Sequence, residues 1–448
     1  MTPNRSLAIS NAFRYHSDEN ILGVLQQEFP HWVLSKHDNA DTGSRNRVFT
    51  AGNTLLTMIL SATQQDKTLK NSVDLYYKIH QDHKRQVLEE LNDQAQQQKL
   101  LDQQSAAPLK AGRPKVYKVH LPKSLDKDIS LNTAAYSKAR DRVSLELIQD
   151  VFKASCIENV QNNYSHWHGY RVMITDGTYL QLQDTAENQV DYAVKSKGQP
   201  TTGYPQGLLQ VVIDRGSGQV CDFKLSDRHT SELRLFYDML DHIEPGTIVL
   251  ADALYDCYEI IAKCIRKDIK IVFPVKKPRN YEVIETLGPG DELIRIKQPK
   301  EASPWLNQRE PAPTLTIRRI VCKSPDGIEY ILATTVLENN IDKYDIQQLY
   351  LTRWDVEIGI REIKTIMDVN ILRSKTPEMA LKELTVSITA YNLIRKIIYA
   401  SIKDLPFSPK GDLIEEFYSF NKDVLVDKKG RVYNRWSTGR PRTQTTDQ

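Results

Sequence analysis

Cysteine is scarce in this 448-residue sequence. Its five cysteines (Cys156, Cys221, Cys257, Cys264 and Cys322) are scattered, and none forms a C-x-x-C pair. That scarcity excludes a disulfide framework and a structural zinc site, and it fits a reducing compartment. No stretch approaches the roughly 20 apolar residues of a membrane-spanning helix. The first residues, MTPNRSLAISNAFRYHSDEN, lack the apolar segment of a secretory signal, so a cytoplasmic protein is expected. Charge of one sign is also missing. Lys and Arg number 60 against 57 Asp and Glu, a net charge of +3, so any surface for a polyanion must be a local patch. No internal repeat is present. A chain of this length, 40% hydrophobic and 26% charged, makes a globular protein of two or three domains.

The pattern along the chain changes twice. Residues 1–110 read as helical, with Leu55, Leu56, Ile59 and Leu60 at helical spacing. A shift to Gln, Ala and Pro then marks a linker, and LNTAAYSKARDRVSLELIQDVFKASC restores the helical period. From about residue 168 strands take over. YRVMITDGTYLQLQD predicts a strand reaching Asp176, and GLLQVVIDRGSGQVCDFKLS predicts a hairpin. GTIVLADALYD predicts a short apolar strand ending at Asp252, followed by a helix and the strand KIVFPVK. This order implies a mixed sheet with helices packed on it. Residues 278–345 hold short strands between Gly and Pro turns and read as a β-rich insertion, after which helices resume.

The stretch YLTRWDVEIGIREIKTIM, residues 350–367, predicts a helix with an unusual polar stripe. At about 100° per residue, Tyr350, Arg353, Glu357 and Lys364 fall within about 60° of one another. Trp354, Ile358 and Leu351 border them on one side, and Val356, Ile360 and Ile363 on the other. Polar groups lining a cleft have such neighbours, although charge spacing alone also describes surface ion pairs. Asp176 and Asp252 each follow an apolar strand, and either alone reads as a turn former or helix N-cap. Together with Glu357 they make a set of carboxylates suited to hard divalent cations, since open α/β sheets bind ligands beyond the carboxyl ends of their strands.

The spacing Y-x2-R-x3-E-x6-K, with DGT at 176–178 and LAD at 250–252, resembles the DDE transposases of bacterial insertion sequences, specifically the IS-four group. The likeness extends over about residues 130–400 and includes AAYSKARDRV, HTSEL at 229–233 and LRSKTPEMALKEL at 372–384. The resemblance implies an α/β, ribonuclease H-like mixed sheet with flanking helices. That core would be interrupted by a β-rich insertion and preceded by an all-α N-terminal domain. It divides the chain into a helical DNA-binding domain (1–110), a linker (111–130), the catalytic core in two parts (131–277 and 346–403) around the insertion (278–345), and a basic tail (404–448). It implies that Asp176, Asp252 and Glu357 hold two Mg²⁺ or Mn²⁺ ions, and that Tyr350, Arg353 and Lys364 contact DNA phosphates.

Two ions held by carboxylates suit phosphodiester transfer, because they activate the attacking oxygen and stabilise the leaving one. Arg353 offers a forked grip on phosphate and Lys364 a point charge. Thr178 and Glu232 stand where hydrogen bonds could support the acids, and His229 reads as a loop residue before a helix. Trp305 is a candidate for stacking on a displaced base, with burial in a small β subdomain as the plainer reading. Arg113 and Lys115 in AGRPKVYK, and Arg440 and Arg442 in TGRPR, fit a minor groove, or else mobile solvated segments. Arg45, Arg47, Lys67 and Lys70 are further possible DNA contacts. The expected partners are double-stranded DNA, at transposon ends and target, and a second copy of the chain. The helix after 378 is apolar enough for that dimer contact or for core packing. The expected activity is cut-and-paste transposition, with a hairpin step implied by the resemblance. A hydrolysis-only nuclease and a silent DNA-binding regulator are the alternatives.

Overall fold

A computed structural model describes residues 48–64, 66–104, 119–121, 129–158, 160, 166–194, 203–275, 279–306, 311–323 and 327–403. Arg45, Arg47, Arg113, Lys115, Arg440 and Arg442 lie outside these residues.

The centre is a mixed sheet in the order β4-β3-β2-β5-β6-β10-β9-β8-β7. Its longest strand, β2 (Tyr170–Leu182), runs parallel to β5 (Thr247–Leu250) and antiparallel to β3 (Gln206–Asp214). β3 turns back into β4 (Val220–Asp227) as the expected hairpin, and β5 pairs parallel with β6 (Lys270–Pro274). β7 (Tyr281–Gly288), β8 (Asp291–Lys297), β9 (Thr314–Lys323) and β10 (Glu329–Thr334) form a meander. It does not stand apart. β10 pairs antiparallel with β6, Ala333 opposite Phe273, so the segment read as an insertion extends the same sheet. Two short strands, β1 (His166–Trp167) and β11 (Ile371–Leu372), also pair with β2.

Alternation along the strands builds two cores, because successive side chains point to opposite faces. Val172, Ile174, Val211, Ile213, Ile248 and Leu250 join one buried cluster. Met173, Val212, Val249, Ala251, Ile271 and Phe273 join the other. The second face is covered by α6 (Glu232–Met239) and α7 (Tyr258–Arg266) through Phe236, Met239, Ile260 and Ile261. The first is covered by α4 (Leu145–Ser155) and α10 (Pro377–Lys403). In turn α1 (Ala51–Ala62) packs on α10 and α3 (Thr133–Arg142) on α1, with Leu55, Ile59, Ile148 and Leu384 buried in the same cluster. Each fully buried Leu or Ile contributes about 1.5–3 kcal/mol relative to exposure. α2 (Leu69–Gln104) follows α1, and α5 (Ala186–Tyr192) lies between β2 and β3. The described N-terminal helices therefore share the core of the sheet. No helix among the described residues is long and apolar enough to cross a membrane.

The region 343–366 is not one uniform helix. α8 (Lys343–Leu351) ends in a 3₁₀ turn, Thr352–Trp354, then α9 (Asp355–Arg361) passes into a π-helical turn, Glu362–Ile366. A 3₁₀ turn advances faster and a π turn slower than 100° per residue, so the uniform helical phase does not hold across this segment. Gly359 lets α9 lie close on β3, since a Cβ there would come 2.9 Å from Ile213 Cδ1.

Candidate active site

Register alone brings the two aspartates together. Ile174 pairs with Leu250 across the parallel strands β2 and β5, and Asp176 and Asp252 each follow two residues later. Asp176 therefore lies midway along β2, which runs on to Leu182 instead of ending there. Asp252 lies just past the end of β5, and both are on the face that carries Ile174 and Leu250. Each is oriented through one oxygen. Asp176 Oδ1 accepts from the Gly177 N–H at 2.8 Å, and Asp252 Oδ1 caps a 3₁₀ turn by accepting from the Leu254 N–H at 2.7 Å. Neither Oδ2 takes a hydrogen bond among the described residues. The N-cap reading of Asp252 thus holds for one of its oxygens.

Burial pushes the Asp176 carboxyl up to about 6, and the charges of Asp252 and Glu357 push the same way, against the Gly177 N–H and Arg353. Asp252, Glu357 and Arg353 therefore all lie within the electrostatic reach of Asp176. Tyr350 is buried, its hydroxyl pushed up to about 12 by burial, with Arg353 lowering it and Asp252 raising it.

Glu357 is turned toward Arg353, with Oε1 at 3.3 Å from Nη2, and its side chain is 49% exposed. Among the described residues, no three His, Cys, Asp or Glu side chains stand as a closed metal-holding group. Arg353 itself is 7% exposed, and its Nε is buried with no hydrogen-bond partner. Its guanidinium lies 4.7 Å from the ring centroid of the exposed Trp354. A buried guanidinium donor left unpaired is costly unless an anion meets it.

Lys364, on the π turn, reaches back to β2, where Nζ donates to Thr178 Oγ1 at 3.0 Å and to the Tyr179 carbonyl at 3.1 Å. Burial lowers its pKa. That turn is held from the other side by Glu362, which accepts from Tyr391 and Arg395 of α10. Lys67 donates to the Met367 carbonyl at its end, while Lys70 is exposed. Trp305 is half-buried at the edge of the second core, 5.5 Å from the Tyr237 ring, and its carbonyl accepts from Arg234. His229 is exposed on the loop before α6.

Sequence reasoning missed two residues. Gln210, fully buried in β3, donates to Thr175 Oγ1 (2.8 Å) and to the Tyr255 hydroxyl (2.6 Å), and Tyr255 donates to Glu232 Oε1 at 2.7 Å. The signal was a lone Gln in the apolar run GLLQVVID and a Tyr three residues past Asp252.

The family model of the transposase DDE domain matches residues 167–393, just over half of the chain. The chain belongs to the transposase DDE domain family. Among curated proteins, the transposase InsG of insertion sequence element IS4 from Escherichia coli (strain K12) is 27% identical over 270 residues. That match covers 58% of this chain and 60% of InsG, so the chain spans less than two thirds of the relative's length. Among solved structures, the cryo-EM structure of the piggyBac transposase synaptic complex with hairpin DNA is similar with a TM-score of 0.39 at 11% identity. The alignment covers 93% of this chain and 80% of that one. The acids of this DDE domain protein suit hard divalent cations by donor type, with one aspartate in β2, one just past β5, and Glu357 held back by Arg353.

Proposed function

We propose that this protein is a DNA transposase of the IS-four group. In this reading β4-β3-β2-β5-β6 is a ribonuclease H-like core, and Asp176, Asp252 and Glu357 act on a phosphodiester bond. The observation that carries it is the meeting, where β5 ends beside the middle of β2, of the two aspartates with Arg353, Glu357 and Lys364. Mg²⁺ or Mn²⁺, two ions per site, held by the three acids would supply Lewis-acid activation of the attacking oxygen and neutralise charge on the leaving oxygen.

The chain's own residues prepare the DNA. The Nε of Arg353 is buried, so a phosphate oxygen meets the guanidinium through Nη2, the nitrogen that faces the half-exposed Glu357. A phosphate on Arg353 competes with Glu357 for the same guanidinium, and the displaced carboxylate is then free to turn toward Asp176 and Asp252. Lys364, tied to Thr178 and Tyr179, sets a positive charge beside the strand that bears Asp176. The buried Tyr350 interacts with Arg353 through its hydroxyl. Hydrolysis forms a bond from a water oxygen to phosphorus and releases a 3′ oxygen, and in strand transfer that 3′-hydroxyl attacks in turn. The proposal extends to a hairpin intermediate, to a dimer on paired ends, and to Trp305 and the basic segments as DNA contacts.

Labelled duplexes carrying the sequences that flank the gene test this, incubated with Mg²⁺. Nicked and joined products are expected, and both vanish with Asp176→Asn. Nicks with no joined product point to a hydrolysis-only nuclease. Binding with no cleavage by the wild-type chain points to a silent regulator.

A further inference from the structure

Glu232 is an acid that the reaction just proposed does not use, yet it stands against the catalytic strand. It opens α6, on the sheet face opposite Asp176 and Asp252. The point of approach is Gly177, where a Cβ would lie 2.6 Å from Glu232 Cδ and within 2.9 Å of both carboxylate oxygens. Only the absence of a side chain lets this carboxylate rest on the backbone of β2, one residue from Asp176.

Glu232 stands at the end of a buried chain of hydrogen bonds. Thr175 Oγ1 donates to the Val211 carbonyl, and Gln210 Nε2 donates to both Thr175 and Tyr255. Tyr255 is left to donate to Glu232. At the end of this chain Glu232 accepts through Oε1, as either an ionised or a protonated carboxyl can. Burial, Asp176 and Asp252 all oppose its ionisation, and the Tyr255 hydrogen bond supports it. On balance its pKa is raised, and once ionised it stands against two like charges, a cost that a bound cation relieves.

We infer that Glu232 is a positioning residue for the metal-binding acids. Through Gly177 it fixes the backbone that carries Asp176, and its charge, held by Tyr255 and Gln210, strengthens the hold of Asp176 and Asp252 on divalent cations. This rests on the reading of Asp176 and Asp252 as metal ligands. Groups that orient and polarise ligands in this way commonly alter metal affinity 10–100-fold when removed.

Mn²⁺ alone is the probe, titrated into the full chain and followed by the electron paramagnetic resonance signal of the free ion, with circular dichroism to confirm folding. The wild type is expected to bind and Asp176→Asn to lose binding. Glu232→Gln, which keeps an acceptor for Tyr255, should bind about 10–100-fold more weakly. Tyr255→Phe, which keeps the charge and releases the tether, should bind several-fold more weakly, and it decides the matter if Glu232→Gln does not fold. If both variants bind within about twofold of wild type while Asp176→Asn does not bind, Glu232 has no such role and the metal reading stands. Absence of Mn²⁺ binding by the wild type, or its retention by Asp176→Asn, would overturn both.

Discussion

Replacing Asp176 by Asn should stabilise the metal-free protein while destroying its activity. Asp176 has its carboxyl pushed up to about 6, first by burial and then by Asp252 and Glu357. An unfolded aspartate titrates near 3.9. Because the folded value is the higher one, the group's contribution to stability is complete below about pH 4 and is lost as pH rises through about 6. A difference of about two units is worth up to about 3 kcal/mol at pH 8, at 1.36 kcal/mol per unit. Asn keeps an oxygen for the Gly177 N–H and removes the charge. In EDTA at pH 8 the variant should be more stable by about 1–3 kcal/mol, several degrees in Tm, and the gain should vanish near pH 4. Adding Mn²⁺ should raise the wild type and not the variant, closing the gap. Thermal melts at pH 4, 6 and 8 check this. Equal melting temperatures in EDTA at pH 8 would show that the Asp176 charge is not penalised, and the electrostatic picture of the site would fall.

Other outcomes follow from single contacts. Arg353→Gln removes the partner that holds Glu357, so DNA-free Mn²⁺ affinity should rise about two- to fivefold, the worth of a half-exposed ion pair, while DNA cleavage is lost. Unchanged Mn²⁺ binding would show that Arg353 does not restrain Glu357. Lys364→Ala should lower cleavage about 10²–10³-fold, as loss of a charge-stabilising donor does, with a Tm shift of no more than a few degrees. A large loss of stability with only a slight kinetic effect would mean that Lys364 serves the fold. Gly177→Ala should cost about 1–3 kcal/mol, because the new methyl meets the Glu232 carboxylate. Denaturant midpoints equal to wild type would refute that close approach.

Much of the frame was legible because it is written locally. The apolar run before Asp252 placed it at a strand end, and Gly216 and Gly218 marked the hairpin, but the strand read as reaching Asp176 continues to Leu182. The pairing of β10 with β6 was not legible. It joins residues some 60 apart, as Ala333 and Phe273 show, and nothing in either strand alone specifies the other. The helix at 350–367 was right in kind and wrong in regularity. Its 3₁₀ and π turns arise where Arg353 is buried and where Glu362 is gripped by Tyr391 and Arg395 from a helix remote in sequence. Gln210 reads as an interruption of an apolar strand until Tyr255 and Thr175 stand beside it.

The most direct test of the central claim is the anomalous scattering of Mn²⁺ in crystals of the protein bound to its end DNA. Mn²⁺ is expected to be held by Asp176 and Asp252, with Glu357 detached from Arg353 and joining them, and a phosphate on Arg353. Ions bound elsewhere, with Glu357 still paired to Arg353 beside a bound phosphate, would contradict it.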